Sequence, residues 1–174
     1  NATVCSGSNS GTITLSGHNG SIVRWEKSTN NWSTTTNIPN TTTTQSYSNI
    51  TSTTQYRAVV KDGSCSQLNS SATTITVNSA PTASFSASAT AVDTTQTITF
   101  TNSSSNASSS SWNFGDSTTS SATSPIHQYA SPGTYTVILT ATNSCGSDTA
   151  TTSITVNIPS ETIAIQDFDG ATPS

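Results

Sequence analysis

The chain has 174 residues and a formal net charge of -4, and only 30% of its residues are apolar, against about 45–50% in ordinary globular domains. Its four Lys and Arg residues build no basic patch able to neutralise a phosphate backbone, which excludes nucleic acid as a partner. No apolar run approaches the ~20 residues of a membrane-spanning helix, so membrane insertion is not expected.

Ser and Thr supply roughly two residues in five, a composition found in disordered chains. The argument against disorder is local. Ile, Val, Phe and Tyr alternate with Thr or Ser, the pattern by which a strand buries one face. Thr is itself a good strand former, because a β-branched side chain suits a pleated surface. In chain order the first half offers Ile13 and Leu15 in GTITLSG, then Val23 and Trp25 in SIVRWEKS. Tyr56, Ala58 and Val60 follow in TQYRAVVKDG, and Ile75 and Val77 in TTITV. Each group is expected on one face. Turn-forming GHNG and KDG separate the segments, as in the hairpins of an antiparallel sandwich. No segment carries a 3.6-residue apolar period, so little helix is predicted.

The pattern stops at Ser79-Ala80-Pro81, where Pro81 lacks the donor that a central strand needs. It restarts with Ala83, Phe85 and Ala87, then Ile98 and Phe100, then Trp112 and Phe114. The longest run is Tyr135, Val137, Leu139 and Ala141, and Ile154 and Val156 close the module. The serine tract Ser103–Ser111 reads as a low-complexity surface loop. Both halves end on the same kind of strand, ATTITVN and TTSITVN. The predicted fold is therefore all-β. Two Ig-like antiparallel β-sandwiches stand in tandem over residues 1–79 and 80–157, followed by a short extended C-terminal tail over residues 158–174.

In that tail Ile163 and Ile165 alternate with polar positions. They are strand-donor candidates for the open sheet edge of a neighbouring copy; the alternative is that the tail begins a further domain. All four cations, Arg24, Lys27, Arg57 and Lys61, lie in the first half, while the rest of the chain has six acids and no cation. That asymmetry favours head-to-tail attraction between copies, screened beyond about 10 Å. Cys5 opens the first strand and Cys65 follows the last long strand of the first domain, so a Cys5–Cys65 disulfide and an oxidising, exported setting are expected. Cys145 is then left as a buried free thiol or a link to another chain.

The stretch WNFGD carries the one concentration of unusual residues. By strand periodicity Trp112 and Phe114 share a core face, Gly115 permits a sharp turn, and Asp116 is placed to accept nearby backbone N–H groups. Catalysis by a carboxylate pair needs a second acid, and the domain offers only Asp93 and Asp148, with nothing to set either opposite Asp116. His18 and His127 have no second metal-type ligand close in sequence. GSNSG has Asn9 where a nucleophile elbow requires serine, and Asp167-x-Asp169-Gly170 lacks the later acidic ligands of a calcium loop. No enzyme, cofactor or metal is expected. Trp25 reads as a core residue, whereas Trp32, among polar neighbours in STNNWSTT, is a candidate to stack on a sugar face.

WNFGD, followed by SPIHQY and SPGTYTVILTATN, resembles the signature of the PKD domain in its bacterial extracellular form, over about residues 80–157. The resemblance implies an Ig-like sandwich used as a spacer, adhesive or protein-contact module. The first half is similar to Ig-like repeats of Bacteroidota secreted surface proteins, on Val4-Cys5 and Gly63-Ser64-Cys65. Exported proteins of that group are O-glycosylated after Asp, which makes Thr94, Ser117 and Thr149 the candidate acceptors. Together these likenesses imply a non-catalytic structural or adhesive module of an extracellular bacterial surface protein, stalk or fibre. Its partners are itself or neighbouring surface-protein domains. The alternative is a carbohydrate-binding accessory module of a secreted multidomain hydrolase, with glycans as partners.

Overall fold

A computed structural model describes residues 1–159. The strand-donor candidates Ile163 and Ile165, and the tail that carries them, lie outside the described residues. No helix occurs among the described residues. The first eight strands are β1 (Ala2–Cys5), β2 (Ser10–Thr14), β3 (Ser21–Ser28), β4 (Thr36–Ile38), β5 (Thr44–Ser48), β6 (Thr54–Lys61), β7 (Leu68–Asn69) and β8 (Thr73–Asn78). The next eight are β9 (Phe85–Ala87), β10 (Ala91–Asp93), β11 (Ile98–Asn102), β12 (Ser109–Asn113), β13 (Thr119–Ser120), β14 (Ile126–His127), β15 (Gly133–Asn143) and β16 (Gly146–Asn157). The chain divides into two compact units. The first takes in Asn1–Ala83 together with Ser104–Ser109 and Thr140–Thr149.

In the first unit a sheet ordered β1-β8-β6-β3-β4, with β7 added beside β6, accompanies the two-stranded sheet β2-β5. Ile13, Ile22, Trp25, Tyr56, Ala58 and Ile75 form the interior. The Trp25 indole N–H, fully enclosed, donates to the Thr42 carbonyl at 3.0 Å, so burying the ring leaves no orphan donor. Simple alternation puts Val23 in phase with Trp25, but the residue that joins Trp25 in the core is Ile22. The ladder between β3 and β6 shifts register between Ile22 and Arg24, and such a bulge inserts one residue and resets the inward-facing set.

The second unit has a five-stranded sheet ordered β10-β16-β15-β12-β13 and a three-stranded sheet β14-β11-β9. Along β15 Val137, Leu139 and Ala141 are fully enclosed, as period two requires. Phe85 meets Trp112 edge-on at 5.0 Å, and Phe100 sits 5.5 Å from Phe114. Part of the serine tract is strand rather than loop: Ser109–Ser111 open β12, and Ser103 N–H donates to the Ser84 carbonyl at 2.9 Å. Serine's low apolar content hid a strand whose neighbours supply the ladder.

The expected Cys5–Cys65 pairing is wrong. Cys5 is bonded to Cys145, with Cα atoms 5.4 Å apart, and Cys65 is free and exposed. Strand direction explains this. β1 runs parallel to β8 with Cys5 level with Asn78, whereas β6 runs antiparallel to β8. The residues after β6, Cys65 among them, therefore leave the sheet at the end away from Cys5. Cys145 occupies the turn between β15 and β16, which Asn143 holds: its Oδ1 accepts the Cys145 N–H at 2.7 Å, and its Nδ2 donates to the carbonyls of Ser79 and Asn106 at 2.8 and 2.7 Å.

A crosslink closing a 140-residue separation is worth about 5 kcal/mol in the chain-entropy model, an upper value. Cys145→Ser is expected to lower unfolding stability by a large part of that amount, while Cys65→Ser stays within about 0.5 kcal/mol of the parent. Urea titration under non-reducing conditions checks both. Alkylation of the unfolded, unreduced chain should label Cys65 alone.

Candidate functional site

The WNFGD turn gathers several polar bonds in the second unit. Trp112 leads into it from β12, its indole N–H donating to the Ala122 carbonyl at 3.0 Å. Phe114, just beyond the strand, is buried beside it. Gly115 adopts φ +83°, and a Cβ there would lie 2.7 Å from the Thr136 carbonyl oxygen, so both conformation and space demand glycine. Ser117 also takes a positive φ, 73°, and the Phe114 N–H closes the turn by donating to the Thr118 carbonyl at 3.1 Å.

Asp116 uses both carboxylate oxygens. Its Oδ1 accepts the Thr118 N–H at 3.0 Å and the Thr118 hydroxyl at 2.6 Å, and its Oδ2 lies 2.8 Å from His127 Nε2. Burial pushes the Asp116 carboxyl up, but the Thr118 hydrogen bonds and His127 together outweigh it and hold the group below the usual carboxylate range. The His127 ring stacks on Phe114 at 4.1 Å and meets Tyr129 edge-on at 4.6 Å; Tyr129 in turn stacks on Tyr135 at 4.2 Å. The Tyr129 hydroxyl donates to the Phe114 carbonyl at 2.9 Å, and burial, then the nearby Asp116 charge, push it up to about 12. Asp116 and His127 thus tie the turn to β14 and the aromatic core.

The two other acids of this region also serve the backbone. Asp93 Oδ1 accepts from the N–H and hydroxyl of Thr95, and Asp148 Oδ2 accepts the Ala83 N–H at 2.8 Å. The Asp116–His127 contact went unread in the sequence because it joins residues 11 positions apart, one in the turn between β12 and β13 and the other on β14. Its only trace was the acid at one strand end and the histidine in the His-x-Tyr step.

In the first unit Arg24 and Arg57 converge on Glu26, which is 4% exposed. Its Oε1 accepts from Arg24 Nε and Nη2 at 3.0 and 2.6 Å, and its Oε2 from Arg57 Nε and Nη2 at 2.9 and 2.8 Å. Register places Glu26 opposite Arg57 across β3 and β6. Burial raises the Glu26 carboxyl, but the hydrogen bonds from Arg57 and Arg24 prevail and it lies below its ordinary value. The Arg57 guanidinium sits 4.0 Å from the centre of the Trp32 ring. Trp32 is half-buried at φ 67°, a conformation bulky residues rarely adopt, fixed by its N–H donating to Ser28 Oγ at 3.0 Å. The candidate sugar platform is therefore in contact with a cation that it helps to cover. Of the candidate glycosylation acceptors, Ser117 and Thr149 are exposed and Thr94 is half-buried. Among the described residues no three His, Cys, Asp or Glu side chains cluster at metal-binding range.

Asp116→Asn is expected to lose about 2 kcal/mol of stability near neutral pH, since hydrogen bonds to the charged group are weakened. Because the folded carboxyl titrates below its ordinary value, this contribution is complete above about pH 4 and fades as pH falls through the lowered folded value. The gap between parent and variant, followed by urea titration from pH 6 to 2, should close in acid. Glu26→Ala is expected to cost about 3–5 kcal/mol, because it strips the buried partner from two arginines; thermal melts measured beside Arg57→Ala check it.

The PKD domain family model matches residues 78–158, and a domain of unknown function (DUF8696) matches residues 1–79. Collagenase ColA of Bacillus cereus is 54% identical over 37 residues, a stretch that is 21% of this chain and 4% of that protein's length. The PKD1 domain of Vibrio anguillarum Epp is 31% identical, with 47% of this chain and 99% of that one covered at a TM-score of 0.41. The amphioxus IgVJ-C2 molecule is 10% identical, with 88% of this chain and 99% of that one covered at a TM-score of 0.51, a likeness of fold. The fold is that of tandem Ig-like β-sandwiches, and residues 78–158 are a PKD domain.

Proposed function

We propose that this chain is a non-catalytic spacer and contact segment of an exported bacterial surface protein, with residues 1–79 and 80–157 as its two modules. The observation that carries the reading is the state of Asp116. The most suspicious carboxylate of the chain has one oxygen on Thr118 and the other on His127, so its lone pairs hold a turn. A general base needs a lone pair directed at a substrate. The Cys5–Cys145 bond supports an extracytoplasmic setting, because such crosslinks persist in oxidising compartments. Secretion from a member of the Bacteroidota, glycans at Thr94, Ser117 or Thr149, and self-association through the tail extend this reading. The tail would add as a strand to a neighbour's sheet edge, with Ile163 and Ile165 as anchors, and a head-to-tail contact that does not close generates a filament.

A second reading, an accessory module of a secreted hydrolase, has the short similarity to a collagenase behind it. Trp32 would be its sugar contact, and its ring already carries Arg57.

The purified chain, incubated with collagen, casein and polysaccharide substrates, is expected to turn over none of them; turnover lost in Asp116→Asn would overturn the spacer reading. Electron microscopy and intact mass of the exported protein should show assemblies, and attached sugar where the acceptors are used. Fibres that persist after deletion of residues 158–174 would remove strand donation. On a glycan array, signal above background that Trp32→Ala abolishes would decide for the accessory-module reading.

A further inference from the structure

We infer that the Cys5–Cys145 bond carries tension past every residue between the two cysteines, so that the length the chain reaches under load is set by a covalent bond and not by the folding of that loop. The inference deepens the spacer reading given above. A pull applied at the two ends enters through β1 and reaches Cys5, the fourth residue of that strand. There it crosses the disulfide to Cys145 and leaves through β16, Gly146–Asn157. A sequence separation of 140 leaves 139 residues inside the covalent loop. These include Trp25 and Tyr56 of one core and Trp112, Phe114, Tyr129 and Leu139 of the other.

Two strands remain in the force path, and the fold treats them differently. β1 is a short strand on the sheet margin, paired among the described residues only to β8. β16 lies between β10 and β15, with Ile154 and Val156 buried in the core, so it must be sheared before its own residues can extend. Residues outside the loop number 174 minus 139, or 35, and at ~3.5 Å each they reach at most ~120 Å when fully extended. The 139 residues inside hold a further ~490 Å, which tension cannot release while the bond stands. The bond keeps the looped residues out of the load and leaves β16 as the part of the second core that bears it.

The test stretches the full chain in optical tweezers between handles at residues 1 and 174. Without reductant, extension is expected to end near ~120 Å. With a dithiol reductant, and equally in Cys145→Ser, ~490 Å more should appear as unfolding steps. Cys65→Ser without reductant should match the parent. Release of the long steps by the unreduced parent would overturn the proposal. So would locking of only the 59 residues between Cys5 and Cys65, a separation of 60. Reduction of the parent gives the comparison even where Cys145→Ser folds poorly. The measurement does not depend on surface attachment: a length lock in a chain found in no surface assembly would sink the spacer reading alone, and long release from a chain found in fibres would sink this inference alone.

Discussion

A chain with 30% apolar residues has few large side chains to fill an interior, so each ring it buries must bring its polar atom to a partner. Trp25 gives its N–H to Thr42, Trp112 to Ala122, and Tyr129 its hydroxyl to Phe114. An unpaired donor in the interior would cost about as much as a hydrogen bond is worth several times over, and a sparse core has little to offset it. These bonds fasten loops and turns to the rings. The interior thereby positions the surface: Tyr129 holds the Phe114 carbonyl, which fixes the turn where Asp116 stands, and His127 packs on the Phe114 ring while contacting that carboxylate.

The same economy governs charge. Glu26, Asp93, Asp116 and Asp148 are each spent on a defined bond, three of them to backbone N–H groups through short turns or loop closures. Buried pairs of this kind specify geometry more than they add net stability, since desolvation offsets much of their attraction. The outward strand faces are left to Ser and Thr. Such a surface offers side-chain hydroxyls and few charges, suited to contacts made through backbone edges or attached groups rather than through ion pairs. The features the chain combines are closed cores, fixed turns and a crosslink that joins the first strand to the turn between β15 and β16.

Much of the fold can be read locally. Val137, Leu139 and Ala141 announce β15 by alternation, and the interior lies where their spacing places it. Gly115 is legible for the same reason: a sharp turn after Phe114 requires a residue without Cβ. Local reading fails at β3, where the bulge between Ile22 and Arg24 moves the inward face by one residue and puts Ile22, not Val23, beside Trp25. It also fails in the serine tract, where Ser109–Ser111 are strand because neighbouring strands need partners.

What the amino-acid sequence by itself determined, the β3 bulge and the serine tract apart, is where most strands lie, which face runs such as β15 present and where the chain must turn, because strand sterics and the two-residue alternation act over a few bonds. The tertiary structure alone decided that Cys5 meets Cys145, that His127 reaches Asp116 and that Trp32 carries Arg57. Each of these joins groups brought together by strand order and direction. A β-strand reads the same whether its neighbour runs parallel, as β8 does beside β1, or antiparallel, as β6 does beside β8, and that choice is what set which cysteine lay within bonding distance.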